Sequence, residues 1–271
     1  VDHHNSKIAE AEGRREGGAG RWGARGGRRC RYAHGVGAIL PVFPLSTVLF
    51  PGLVLPLHIF EERYRVLVRE LVASTADEPH EFGVVTLRRG SEVQTTPEGD
   101  ADQPVDATPV TAEVLYEVGC TAELRQVTEL PDGRFDVVTV GRRRFRLLSV
   151  ESGSAPYLTA EVEWLPEEEA DDTADMLAPR VLAAFRTYLE LLRPASEVLD
   201  QVPDDPTVLS HLVAATAQLT TDERHLLLAA PDTTTRLRTE LKLLNREAGL
   251  LARVRAVPVP LSDLARPASP N

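Results

Sequence analysis

His58, Glu61 and Glu62 are the tightest cluster of groups in this 271-residue sequence that could ligate a metal or exchange a proton. A metal centre draws on three or more convergent ligands, and these residues fall where a strand gives way to a helix. At that junction the acids are explained by the positive helix end and His58 by packing at the end of a sheet, so neither metal nor cofactor is expected. Ser210 with His211, and Glu223 with His225, have the residue types of catalytic pairs. Neighbours along a helix point in different directions, which reads all four as solvated surface groups. Cys30 and Cys120 are the only cysteines, too few for a disulfide framework or a cysteine zinc site. No catalytic residue is assigned.

Arg142, Arg143, Arg144, Phe145 and Arg146 are the other chemical candidate, a basic strand with an aromatic platform of the kind that stacks bases. Strand alternation puts Arg142, Arg144 and Arg146 on one side and Arg143 with Phe145 on the other. The favoured reading makes Phe145 core and pairs the arginines with surface carboxylates. The formal charge of −11 supports it, because an acidic body repels nucleic acid at long range. Nucleic acid is therefore not the expected partner, and RNA binding through this strand is kept as the alternative.

The elements that must position these groups are legible from periodicity. Leu40-Pro41-Val42-Phe43-Pro44-Leu45 and residues 53–60 are too short and too proline-interrupted for helices, so they read as strands joined by the turn Phe50-Pro51-Gly52. From Glu61 the spacing becomes helical, with Tyr64, Leu67, Val68, Leu71 and Val72 on one stripe. Phe82-Gly83-Val84-Val85-Thr86-Leu87 reads as a buried strand, and the polar, proline-rich residues 88–111 as a long loop. Strand character resumes at 118–130, turns at Pro131-Asp132-Gly133 and continues through 135–150, with Gly141 marking a bulge or bend. Residues 157–165 alternate apolar and polar side chains, as a half-buried strand does.

After Pro166-Glu167-Glu168-Glu169 the pattern is helical. A helix over 176–192 has Pro179 near its first turn. Asp205-Pro206 caps a second helix, Thr220 and Glu223 have capping-box spacing for a third, and a last helix runs from about 232 to 255. Strands followed by helices give an α+β fold. Four segments result: a disordered Arg/Gly-rich leader over 1–37, a β subdomain over 38–166, a helical bundle over 167–256 and a Pro-rich disordered tail over 257–271. The leader lacks the apolar core of a secretory signal and no apolar run reaches the roughly 20 residues of a membrane span, so no membrane contact and a cytoplasmic location are expected.

Several pieces taken in order resemble the N-terminal domain of Lon proteases. They are the Leu-Pro-rich opening with Ile59-Phe60-Glu61 and Arg63-Tyr64, then Phe82-Gly83-Val84-Val85, then Glu117-Val118-Gly119 with Ala122-Glu123-Leu124. Leu130-Pro131-Asp132-Gly133-Arg134, Gly141-Arg142-Arg143-Arg144-Phe145-Arg146 and Tyr157-Leu158-Thr159-Ala160-Glu161-Val162 follow. The resemblance implies an N-terminal PUA-like antiparallel β-barrel with one inserted helix, followed by a C-terminal α-helical bundle, serving to recognise substrate polypeptides. The sequence departs from the full enzymes. It has no Gly-x-x-x-x-Gly-Lys-Ser/Thr phosphate loop, and Lys242, the only lysine besides Lys7, lies on a charged helix face with no serine partner indicated by spacing.

The expectation is a stand-alone, non-enzymatic substrate-binding domain, an adaptor whose partners are unfolded or tagged polypeptides and a protease or chaperone. A domain that captures such segments needs exposed apolar side chains or a free strand edge. Leu53, Val54, Leu55, Phe60 and Tyr64 are the candidates by position.

Overall fold

The computed structural model describes residues 37–74, 80–88, 112–192 and 203–254. The loop and the tail expected at 88–111 and 257–271, and the leader, fall outside these residues apart from Gly37 and Arg88. Strands come first: β1 (Ala38–Leu45), β2 (Val54–Ile59), then helix α1 (Glu62–Ala73), β3 (Glu81–Thr86), β4 (Val118–Glu129), β5 (Phe135–Glu151) and β6 (Leu158–Leu165). Helices follow: α2 (Asp172–Leu192), α3 (Pro206–Thr216), α4 (Thr221–Leu228) and α5 (Thr233–Val254).

The six strands pair in the order β2-β5-β4-β3-β1-β6, and β5 also pairs with β6. β5 reaches three partners because it is 17 residues long. All pairings are antiparallel except β1 with β3, which is parallel, in register from Val42 opposite Gly83 to Leu45 opposite Thr86. The expectation that every pairing is antiparallel is therefore corrected: the sheet is a mixed six-stranded one. Parallel neighbours need a long crossover, and residues 46–80, which carry β2 and α1, supply it.

Local chemistry explains the turn that precedes β2. Leu53 N donates to Phe50 O at 3.2 Å and Gly52 adopts φ +79°, the type II geometry that Pro-Gly favours. Gly141 of β5 lies against this turn, donating to Leu53 O and accepting from Gly52 N, each at 2.8 Å. A Cβ on Gly141 would sit 2.1 Å from Phe50 O, so only glycine permits this approach. The β4–β5 register shifts beside it, between Cys120 and Ala122, as a bulge does.

Helix starts follow their caps. Asp205 Oδ1 accepts from Thr207 N and Val208 N at 2.8 and 3.0 Å, and Thr220 with Glu223 forms a complete capping box. α2 starts earlier than its apolar spacing indicated, because Asp171 Oδ1 accepts from Ala174 N at 2.7 Å and caps it. Pro179 consequently lies inside the helix rather than in its first turn.

Three apolar clusters hold these elements. One fills the sheet interior around Phe145, Val42 and Val162. A second joins α2, α3 and α5 through Phe185, Val213 and Leu237. The third crosses between the layers, placing Phe50, Tyr64 and Phe82 in one cluster with Ala214, Leu227 and Leu228. Sheet and helices meet there, and both candidate regions border that junction.

Candidate functional site

β2 lies at the end of the strand order, and its outer edge has no strand partner among the described residues. Along it every second residue is exposed, and Val54 and Phe60 are the large apolar ones, at 62% and 56% exposure. Leu53 and Leu55 are half-buried against the third cluster. Tyr64 is 3% exposed, its ring 3.9 Å from that of Phe43, and burial pushes its phenol up to about 12. Of the five candidates, two are on the surface, two are partly covered and Tyr64 is core.

His58, Glu61 and Glu62 do not converge. His58 Nδ1 lies 2.6 Å from Asp136 Oδ1, Glu61 accepts from Arg63 Nε at 2.7 Å, and Glu62 pairs with Arg65 and Arg69. These contacts are exposed or half-buried at the surface, and pairs of that kind carry little energetic weight. Among the described residues no group of three or more His, Cys, Asp or Glu is placed to hold a metal.

The arginine strand divides differently from simple alternation. Phe145 is fully buried, and each arginine pairs with a carboxylate: Arg142 with Glu123 at 2.9 Å, Arg143 with Glu81, Arg144 with Glu167 at 2.7 Å and Arg146 with Glu163 at 2.8 Å. Arg142 and Arg143 are both exposed, whereas Arg144 is 3% exposed beneath the helices. The bulge beside Gly141 breaks the alternation, so Arg142, Arg144 and Arg146 do not form one outward face.

Arg144 belongs to a buried polar network that sequence reasoning missed. Its Nη1 donates to Leu228 O and Ala230 O at 2.9 and 2.6 Å. Glu167 Oε1 accepts from Arg236 Nη2 at 2.9 Å, and Arg236, wholly buried on α5, also donates to Leu227 O and Ser210 Oγ at 3.1 and 3.0 Å. Burial alone would raise the Glu167 carboxyl, but His211 and the Arg236 and Arg144 guanidiniums outweigh it and hold the group at about 2. One carboxylate thus bridges guanidiniums from β5 and α5, locking the sheet to the helices.

His211 and Ser210, expected at the surface, are buried in this network. His211 Nε2 lies 3.4 Å from Glu167 Oε1, in ion-pair range, while neither ring nitrogen has hydrogen-bond geometry to a partner. Burial lowers its pKa and keeps the imidazole neutral. His225 is likewise half-buried, stacked on Tyr116 at 4.1 Å with Nε2 3.2 Å from Val118 O. Glu240, one turn after Arg236, is 1% exposed and its carboxyl is pushed well above its ordinary range by burial. The sequence did carry a signal: Arg236 and Glu240 fall on the same α5 stripe as Leu237 and Leu244, where charge is out of place.

Above the network opens a pocket of about 580 Å³ between β5, β6 and α3. Trp164, Leu165 and Pro166 line it from the end of β6, Pro51 and Gly52 from the turn, and Thr207, Val208 and His211 from α3. Arg142, Arg143, Arg144 and Glu167 complete it, with the Arg143 guanidinium 3.8 Å over the Trp164 ring. No helix among the described residues is long and apolar enough to cross a membrane.

Comparison with known proteins gives this geometry a context. The family model described as the ATP-dependent protease La (LON) substrate-binding domain matches residues 39–246. Lon protease 1 of Thermus thermophilus is 34% identical over 217 residues, covering 77% of this chain and 24% of the relative. Lon protease of Anaeromyxobacter dehalogenans is 28% identical over 221 residues, covering 79% and 24%. The chain thus spans about a quarter of the length of the curated relatives it matches. Two solved structures share the fold at 23% identity, each covering 76% of this chain and 98% of its own. They are a Lon N-terminal domain protein from Xanthomonas campestris, at TM-score 0.51, and the N-terminal domain of a Mycobacterium avium complex Lon protease, at TM-score 0.54.

Proposed function

The chain belongs to the Lon substrate-binding domain family, and from that premise we propose that it is a non-enzymatic module that captures unfolded or tagged polypeptides as an adaptor for a protease or chaperone. The family match carries this reading, since it falls on the substrate-binding domain rather than a catalytic one. The edge of β2 that has no strand partner among the described residues, flanked by Val54 and Phe60, supports it. An extended segment can add to such an edge through main-chain hydrogen bonds while apolar side chains meet the exposed pair. Pro56 withholds one N–H within the strand, which limits uncontrolled edge pairing. The β5–β6 pairing also supports reading the sheet as a PUA-like barrel.

The test is equilibrium binding of a permanently unfolded model protein and of its folded counterpart. Preferential binding of the unfolded form is the expected result. Absence of binding to either, together with RNA affinity that falls steeply with salt, would replace this function with the RNA alternative.

A further inference from the structure

The pocket between β5, β6 and α3 shares no lining residue with β2. Its volume of about 580 Å³ suits a small organic ligand or one residue of a chain. Trp164, Pro166 and Val208 give it apolar walls, and Val208 stays 47% exposed at its mouth. Its electrostatics are unlike those of the acidic chain around it. Arg142, Arg143, Arg144 and Arg236 gather here against the three carboxylates of Glu81, Glu123 and Glu167. The lining itself holds three of these arginines and a single carboxylate, Glu167. His211 adds a second observation: it lines the pocket and is 3% exposed, and while its Nε2 lies 3.4 Å from Glu167 Oε1, its Nδ1 has no hydrogen-bond partner. A buried imidazole in that condition lacks an interaction it is equipped to make.

We propose that this pocket binds an apolar carboxylate, supplied by a small organic acid or by the C-terminal residue of a polypeptide. The apolar body lies along Trp164 and Val208, and the carboxylate is directed to Arg142 and His211. Arg142 has its guanidinium at the rim with a half-exposed side chain, and a neutral imidazole donates one N–H to a carboxylate oxygen. The polypeptide source rests on the function proposed above, whereas the small-acid source does not.

The experiment titrates the full chain with N-acetyl-phenylalanine, its amide, and a ten-residue peptide ending in phenylalanine as free acid or amide. Trp164 fluorescence is read in a Trp22→Phe background, since these are the two tryptophans. The acids are expected to bind at least tenfold more tightly than the amides. Val208→Glu and Arg142→Ala, both at exposed side chains, should each weaken acid binding at least tenfold with an unchanged melting temperature, while Val54→Asp leaves it intact. Binding of the small acid but not the peptide acid supports the pocket with a small-acid ligand. Equal affinity for acid and amide, no binding of any probe, or indifference to Val208→Glu overturns the proposal. Capture of an unfolded protein with an amidated C-terminus is measured alongside. If capture persists while every acid fails, the pocket proposal falls and the polypeptide-binding function stands.

Discussion

The β2 end of the sheet and the Glu167 seam are built from the same residue types, yet they differ in what those residues do. At the β2 end, the His58–Asp136 contact and the Arg134–Asp132 ion pair are each 2.6 Å long between exposed side chains, where water and salt already screen the charges. At the seam, Arg144, Arg236 and His211 surround Glu167 with almost no exposure of the three. Removing charges from water is costly, so each partner there depends on the others. Exposed pairs near β2 are thus expected to contribute little to stability, and the buried ones at the seam more. Val54 and Phe60 reverse this pattern, being exposed at β2 where Leu227, Leu228 and Leu237 at the seam are buried.

The largest expected effect sharpens that contrast. Glu167→Ala leaves two buried guanidiniums uncompensated and should destabilise the chain by about 3 kcal/mol, whereas Asp136→Ala should cost under about 0.5 kcal/mol. Chemical denaturation of both variants checks this, and equal losses would break the comparison. Gly141→Ala comes next, at roughly 2 kcal/mol or more, because the new methyl meets the Phe50 carbonyl oxygen, a backbone atom that cannot swing aside.

Two smaller effects depend on pH. His211 and His225 ionise below the ordinary histidine value in the folded chain. Their contribution is complete above pH 6.5 and is lost as pH falls through the lowered folded values. Glu167 contributes above its unfolded value of 4.5 and loses that contribution only as pH falls towards about 2. A pH series of melting temperatures should therefore show a first decline below pH 6.5 that His211→Gln reduces. Glu240 has the opposite sign: its protonated form suits the fold, so stability is full below 4.5 and lost as pH rises. Glu240→Gln should raise the melting temperature by roughly 2 °C near neutral pH, with the gain disappearing below pH 4.5.

Local signals made most of the fold legible in the sequence. Pro51-Gly52, the Asp205 side chain, the Thr220–Glu223 box and the 3.6-residue stripe of α1 each act within a few residues, and the observed elements follow them. What was not legible depends on residues far apart in the chain. The parallel pairing of β1 with β3 is set by where α1 returns the chain, and the burial of Arg144 by a bulge opposite Cys120 and by carbonyls of residues 228 and 230. His211 looked solvated because α3 gave no local indication that Phe50 and Glu167 would pack against it. Val72 shows the converse, lying on the α1 stripe yet 55% exposed. At β2 the sequence indicated the region, while only tertiary structure separated exposed Val54 and Phe60 from buried Tyr64.

The most direct measurement is the affinity of the Val54→Asp, Phe60→Asp double variant for a permanently unfolded protein, determined with its melting temperature. Capture at the β2 edge predicts at least a tenfold loss of affinity with the melting temperature unchanged, since both side chains face solvent. Undiminished affinity in the folded variant would contradict it.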